Sequence, residues 1–510
     1  MNRRAFLSTS VAPLLAAESR SFELEEVPLS ELANGKISAR RMTELYLARI
    51  DAIDRKGPKL NSVIELNPEA LRLADELDRE RKAGKLRGPL HGVPILIKDN
   101  IDTGDKMATS AGSLALADWH APRDAAVAAK LRGAGALLLG KTNLSEWANF
   151  RSTHSVSGWS GRGGQTRCPY DVTRNPSGSS AGSGVAASAS LAAGAIGTET
   201  DGSIVSPASV NGCVGIKPTL GLISRAGIIP IAHSQDTAGP ITRTVRDAAM
   251  MLNVLTGVDA RDAATAASAG HIQGDYTRFL DPNGLKGARL GIARKFFEKY
   301  APLDRFLNGC IDALKKAGAV IVDAADLPSH GKGGDLELEV LLYEFKADLN
   351  AYLSKMPASR RGKTMAELIE YNNKNRDREM PYFDQELFYQ AQAKGPLTEK
   401  KYLDARAACL KLTRAEGIDA VIAKHKVDAI VTLTNGPACL IDQVNGDQDI
   451  PSCSMPAAVA GYPHITVPAG LFRGLPIGLS FFSTAWTEPT LIKLAYGFET
   501  ATRARVRPRL

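Results

Sequence analysis

Two turns of small residues stand out between Pro176 and Gly212: Gly178-Ser179-Ser180-Ala181-Gly182-Ser183-Gly184, and Thr200-Asp201-Gly202-Ser203. A serine hydroxyl is a weak nucleophile, and attack on a carbonyl needs a base for its proton and donors for the oxyanion that forms. Thr200, Asp201, Gly202 and Ser203 can present successive backbone N–H donors in a tight turn, with Gly202 allowing a carbonyl to come close. Ser203 ends that turn, where its hydroxyl could attack. Taken alone, Ser203 reads as an ordinary turn serine and the first stretch as a flexible linker. The flanks oppose a linker: Ala186 to Ala193 is a run of small helix-compatible residues, and Ala195-Ile196-Gly197 leads into the second turn. No histidine lies between Pro176 and Gly212 to act as base.

Lys98 is the candidate base. It ends the apolar run Val93-Pro94-Ile95-Leu96-Ile97, an odd place for a strongly hydrated ammonium unless it emerges to water or pairs with Asp99. At the ordinary lysine pKa of about 10.4, only about one molecule in a few thousand is neutral at pH 7. Burial lowers that value by several units. Ser179 would then bridge, passing the Ser203 proton to Lys98. Gly178 and Ala181 beside it leave room for unusual backbone geometry such as a cis peptide.

These residues belong to a wider set: Gly92-Val93-Pro94 before Lys98-Asp99, Gly135 to Asn143, Pro176 to Gly184, Thr200 to Ile204, and Gly215-Ile216-Lys217-Pro218-Thr219. As a set they resemble the amidase signature family over essentially the whole chain after the N-terminal segment. Within the family the resemblance runs to the bacterial peptide amidases, through Thr142 to Phe150, Gly163 to Arg167 and Thr198 to Val205. The resemblance implies an α/β fold with a large mixed β-sheet flanked by helices, and amide hydrolysis without metal or other cofactor. It implies a triad of Ser203 as nucleophile, Ser179 as a cis-serine bridge and Lys98 as base. The spacing of 24 positions between the two serines agrees. C-terminal peptide amides or other primary amides are the implied substrates, with Trp147, Asn149, Trp159 and Tyr170 as groove residues that could equally be core aromatics and loop contacts. Ser177 and Ala181 replace common glycines, Asp201 takes a usual glycine position, and Val205 stands where many members carry arginine. The last two put in doubt a substrate preference taken from other branches.

Other readings compete. Gly178 to Gly182 also fits a G-x-S-x-G nucleophile elbow with Ser180 as nucleophile, and His464 with Asp447 could complete it. A general small-molecule amidase, the amidase component of a tRNA-dependent amidotransferase, and a non-catalytic binder of anions or carboxylates are the remaining alternatives.

The elements that must position these residues alternate in type. Strand-like runs at 93–97, 136–139, 289–294, 320–322, 429–433, 465–467 and 477–482 interleave with helical patterns at 38–56, 67–82, 124–131, 245–255, 303–317 and from Glu488 onward. A charged, helix-rich stretch from about 336 to 425 reads as an insertion into one α/β domain spanning 18–510. A hydrophobic content of 44% with 23% charged residues is ordinary for a soluble globular chain, and the net charge of +8 is dispersed. Apart from the tail Arg503, Arg505, Arg507, Arg509, which reads as a solvated end, nothing suggests a nucleic-acid surface. The six cysteines form no framework and no zinc-like spacing. Asn2 to Leu7 followed by apolar Val11 to Ala17 resembles a twin-arginine export signal covering residues 1–17, which implies a periplasmic or secreted protein. No later run is long enough for a membrane span. Oligomeric state is not legible.

Overall fold

The computed structural model describes residues 22–357, 362–448 and 450–510. The expected export signal lies outside the described residues. Among the described residues thirteen strands form in chain order: β1 (Val63–Leu66), β2 (Pro94–Lys98), β3 (Leu137–Thr142), β4 (Trp159–Ser160), β5 (Gly164–Gln165), β6 (Gly194–Glu199), β7 (Val214–Lys217), β8 (Thr237–Thr242), β9 (Arg289–Ile292), β10 (Val320–Val322), β11 (Ala429–Leu433), β12 (His464–Phe472) and β13 (Leu475–Phe482). Eleven of them make one sheet in the order β1-β3-β2-β6-β8-β7-β12-β13-β11-β9-β10, while β4 and β5 pair separately.

The sheet is mixed. β2 runs parallel to both β3 and β6, the strands from β6 through β8, β7, β12 and β13 to β11 alternate antiparallel, and β9 is parallel to β10 and β11. β2, β3, β6, β7, β8, β11 and β13 are buried along their whole length, as a sheet covered by helices on its faces requires. Flanking helices include Ala70–Lys82, Ala126–Gly133, Ala181–Ser188, Val245–Leu255, Ala301–Lys316 and Glu488–Thr502. The helical pattern from Ser38 holds to Arg49 and continues as a wider-wound turn to Lys56, with the Ser38 hydroxyl capping the Arg41 N–H.

Between Gly334 and His425 the described chain is mainly helical, and part of it builds a second core. Leu341, Leu342, Phe345, Leu349, Leu353, Leu387 and Phe388 pack against Trp147, Phe150, Ile229 and Ile231 from the sheet-side loops. This second core matters for the site, because it fastens the stretches around Trp147 and Ile231, near which Ser145 N meets the Ser179 carbonyl and Asp236 meets Thr200. Among the described residues, no helix is long and apolar enough to cross a membrane. All six cysteines are free and buried. The basic tail differs from a solvated end. Arg505 pairs with Glu26 at 2.7 Å and donates to the Gly212 and Ser188 carbonyls, and Arg507 pairs with Glu25.

Candidate active site

Lys98 is the last residue of β2, an internal strand paired on both edges. It is 0% exposed. Its Nζ lies 2.8 Å from Ser179 Oγ, 2.8 Å from Thr198 Oγ1 and 3.3 Å from the Thr198 carbonyl oxygen. Three partners match the three hydrogens of an ammonium; a neutral amine gives two hydrogens to Thr198 and turns its lone pair to Ser179. Burial pushes the Lys98 pKa down to about 7, against the Asp236 and Glu199 carboxylates, which favour its charged form. Asp99 does not pair with Lys98. Its carboxylate accepts from Gly112 N at 3.1 Å, Arg162 Nη1 at 3.2 Å and the Ser110 hydroxyl.

Ser179 follows a cis peptide bond from Gly178 and is fully buried. Its carbonyl accepts from Ser145 N at 3.1 Å, and the next N–H, that of Ser180, donates to the Ser203 carbonyl at 3.2 Å, which ties the first turn to the second. Helix Ala181–Ser188 then leaves the turn with every residue buried. Gly182 permits this close approach: a Cβ there would lie 2.6 Å from the Asn143 carbonyl oxygen.

The second turn hangs between β6 and helix Val205–Val210. Gly202 has φ +76, and a Cβ on it would sit 3.0 Å from Ser454 Oγ and 3.1 Å from Ser206 Oγ. Ser203 is 7% exposed, against 0% for Lys98 and Ser179. Glu199, at the end of β6, accepts from Ile204 N at 2.7 Å and Val205 N at 3.0 Å, which fixes the helix start beyond Ser203. Burial raises the Glu199 carboxyl, and the Lys217 charge lowers it. Asp201 is pushed up to about 6 by desolvation, and Ser454 lowers it through a hydrogen bond.

The elbow alternative is not assembled. Ser180 Oγ donates to the Thr198 carbonyl at 3.0 Å and accepts from the Thr198 N–H at 3.1 Å, a strand-anchoring role. His464 Nε2 meets Ser480 Oγ at 2.5 Å inside the sheet, and Asp447 accepts from Ser157 N and Asn175 Nδ2.

The four groove candidates scatter. Trp147 is buried in the second core, its ring 5.5 Å from that of Phe388. Its neighbour Ala148, with φ +54, lines a cavity of about 310 Å³ that Thr198, Thr200, Asn100, Asp236 and Tyr352 also line. Asn149 accepts from Ser155 Oγ at 2.7 Å, a loop contact. Trp159 is buried against Phe383, Arg151 and the half-exposed Tyr382. Tyr170 lines a different depression with the C-terminal residues and donates to the Val506 carbonyl, so the structure gives it a tail-anchoring contact instead of a place beside Thr198 and Thr200.

Reading the sequence missed Asn100 and Asp236, and named Thr198 only as the start of a motif, without a role. Asn100 Nδ2 donates to Thr198 Oγ1 at 3.0 Å, and Thr200 Oγ1 donates to Asp236 Oδ1 at 2.6 Å. Thr198 opens a named motif and Asn100 follows Lys98-Asp99 directly, which is the signal that could have found them. A further group, His233, Glu344 and Asp348, could hold a metal ion and was also missed. It is already internally bonded: His233 Nδ1 meets Asp348 Oδ2 at 2.8 Å, and Glu344 accepts from Ser234 N and Tyr402 OH.

Comparison with known proteins agrees with this architecture. The family model described as Amidase matches residues 41–492. A protein of Arabidopsis thaliana described as a probable amidase is 40% identical, over 96% of this chain and 93% of its own. A glutamyl-tRNA(Gln) amidotransferase subunit of Moorella thermoacetica is 34% identical, over 94% of this chain and 97% of its own. The solved structure of native peptide amidase from Stenotrophomonas maltophilia is 49% identical with a TM-score of 0.91, covering 96% of this chain and 99% of that one. The large mixed sheet flanked by helices is thus the amidase signature fold, and the chain belongs to the amidase signature family as an enzyme that hydrolyses amide bonds.

Proposed function

We propose that this protein cleaves primary carboxamides, with C-terminally amidated peptides as the favoured substrates, through a Ser203–Ser179–Lys98 relay and a covalent acyl-enzyme. The observation that carries the reading is the 2.8 Å contact between Lys98 Nζ and Ser179 Oγ in a region closed to water. Neutral Lys98 takes the Ser179 proton as Ser179 takes that of Ser203, and Ser203 Oγ bonds to the amide carbon. The N–H groups of the Thr200–Ser203 turn stabilise the oxyanion. The lysine proton returns through Ser179 to the departing nitrogen, the C–N bond breaks, and ammonia leaves with the acyl group on Ser203. Water then adds to the ester by the same relay, releasing the carboxylate and restoring neutral Lys98.

The likeness to the solved peptide amidase supports peptide amides over the tRNA-linked reaction. The solved glutamyl-tRNA(Gln) amidotransferase subunit from Thermotoga maritima superimposes less closely, with a TM-score of 0.69 at 25% identity. The test is a mass-spectrometric screen of amidated peptides against small aliphatic and aryl amides, with ammonia measured in parallel. Preference for amidated peptides and a covalent adduct on Ser203 are expected. Ligand binding with neither ammonia nor adduct would end the reading. Export through the twin-arginine route is part of the same proposal. Replacing Arg3 and Arg4 with lysine should retain the protein in the cytoplasm, and unchanged fractionation would remove it.

A further inference from the structure

The segment 231–237 is pinned at both ends of the site. Toward the helix Gly334–Leu353, His233 N and Nδ1 reach Asp348 Oδ2 at 2.8 Å, and Ser234 N donates to Glu344 Oε2 at 2.9 Å. Toward the Ser203 turn, consecutive residues grip Thr200 at two atoms. Gln235 Nε2 donates to the Thr200 carbonyl at 3.3 Å and to Glu337 Oε1 at 2.8 Å, while Asp236 Oδ1 accepts from Thr200 Oγ1 at 2.6 Å. The other Asp236 oxygen accepts from Ile231 N at 2.9 Å and Ala232 N at 3.0 Å, so the carboxylate cannot turn away without losing three bonds.

We propose that Asp236 is a positioning residue for the reaction: it holds Thr200 so that the turn's N–H groups face the oxyanion. This rests on the Ser203–Ser179–Lys98 reading. A turn that must stabilise a developing charge needs fixed donors, since small displacements there are costly. Thr200 has no such fixity of its own, being the first residue beyond β6. Asn at 236 can still accept from Thr200, but it sets an amide NH₂ against the Ile231 and Ala232 N–H groups and removes the charge.

The test compares Asp236→Asn, Thr200→Val and the double variant with wild type and Ser203→Ala on one amidated peptide, with circular dichroism as the fold check. Each single variant should lower kcat about 10- to 100-fold with KM within about threefold. The double variant should lose no more than the worse single one, as two parts of one contact. Turnover of Asp236→Asn within about twofold of wild type, or losses that multiply, overturns the inference while Ser203→Ala remains dead. If Ser203→Ala keeps its activity, the triad reading fails instead. Should Asp236→Asn not fold, Thr200→Val decides alone, and turnover within about twofold of wild type overturns the inference.

Discussion

Lys98 Nζ stands 2.8 Å from Ser179 Oγ across 81 residues of sequence, with both side chains fully buried. A charged lysine there would be desolvated with no carboxylate in hydrogen-bond reach; its partners are two hydroxyls and a carbonyl. That environment disfavours the cation without excluding it, and so brings the amine close to half-neutral at physiological pH.

The rate should therefore follow Lys98. With the lysine pushed to about 7, kcat/KM on a primary amide is expected to rise about tenfold per unit of pH below that value and to level off above it. Initial rates from pH 5 to 9 with chemistry limiting check this. A flat profile would remove the lysine from the relay.

The same shift has a cost in stability. In the unfolded chain Lys98 holds its proton to about 10.5, and in the folded one only to about 7, so the folded state binds fewer protons between these values. The cost is complete below about pH 7, on the order of 4–5 kcal/mol, and disappears as the pH approaches 10.5. Lys98→Met should be inactive yet more stable than wild type at pH 7, with the gap narrowing toward pH 9. Urea unfolding at both values measures it, and a variant less stable than wild type at pH 7 contradicts it.

The three neighbouring serines should separate by role. Ser203→Ala and Ser179→Ala are expected to lose at least about a thousandfold in kcat while staying folded. Ser180→Ala, which breaks two bonds to Thr198, should show mainly a loss of about 1–3 kcal/mol in stability. Intact-mass analysis with a serine-directed phosphonate should find label lost only in the Ser203 variant and slowed in the Ser179 variant.

Gly202→Ala tests the turn. A side chain at φ +76 costs about 1–2 kcal/mol, and its Cβ would press on Ser454 and Ser206. The expected result is a fall in kcat of about 10- to 100-fold with a smaller change in KM, read from steady-state kinetics.

The six cysteines should be silent until the protein unfolds. Burial pushes Cys168 and Cys213 up to about 11 and Cys310 and Cys453 to about 12. A chromogenic thiol reagent at pH 8 should find almost none in the native state and six in denaturant.

Much of the sheet was visible in the sequence because its strands are apolar runs: 429–433 and 320–322 agree with β11 and β10, and 93–97 differs from β2 by one residue at each end. β6 and β8 were not visible, and both flank the site. Gly197 in β6 reads as a strand breaker, yet a Cβ there would lie 2.7 Å from Ser180 Oγ, so the glycine makes room for the first turn. β8 carries Gly239 and Pro240, and a Cβ on Gly239 would collide with the Ile216 carbonyl. Close approach by a neighbouring segment, which no periodicity encodes, accounts for both glycines. Motif and spacing singled out Lys98, Ser179 and Ser203, and the structure brings Lys98 Nζ to 2.8 Å from Ser179 Oγ. Asp236 was not singled out, because its place depends on a loop fastened from the far side by the helix Gly334–Leu353.

The order of strands carries a consequence for how the molecule is made. β7 pairs on one edge with β8, its near neighbour in sequence, and on the other with β12, which begins at His464. A ribosome thus delivers every strand of the half that bears Lys98, Ser179 and Ser203 before the strands that seal its open edge. Until β12 and β13 emerge, the growing chain presents an unpaired strand edge to its surroundings, and shielding that edge is a task for the cell rather than for the sequence.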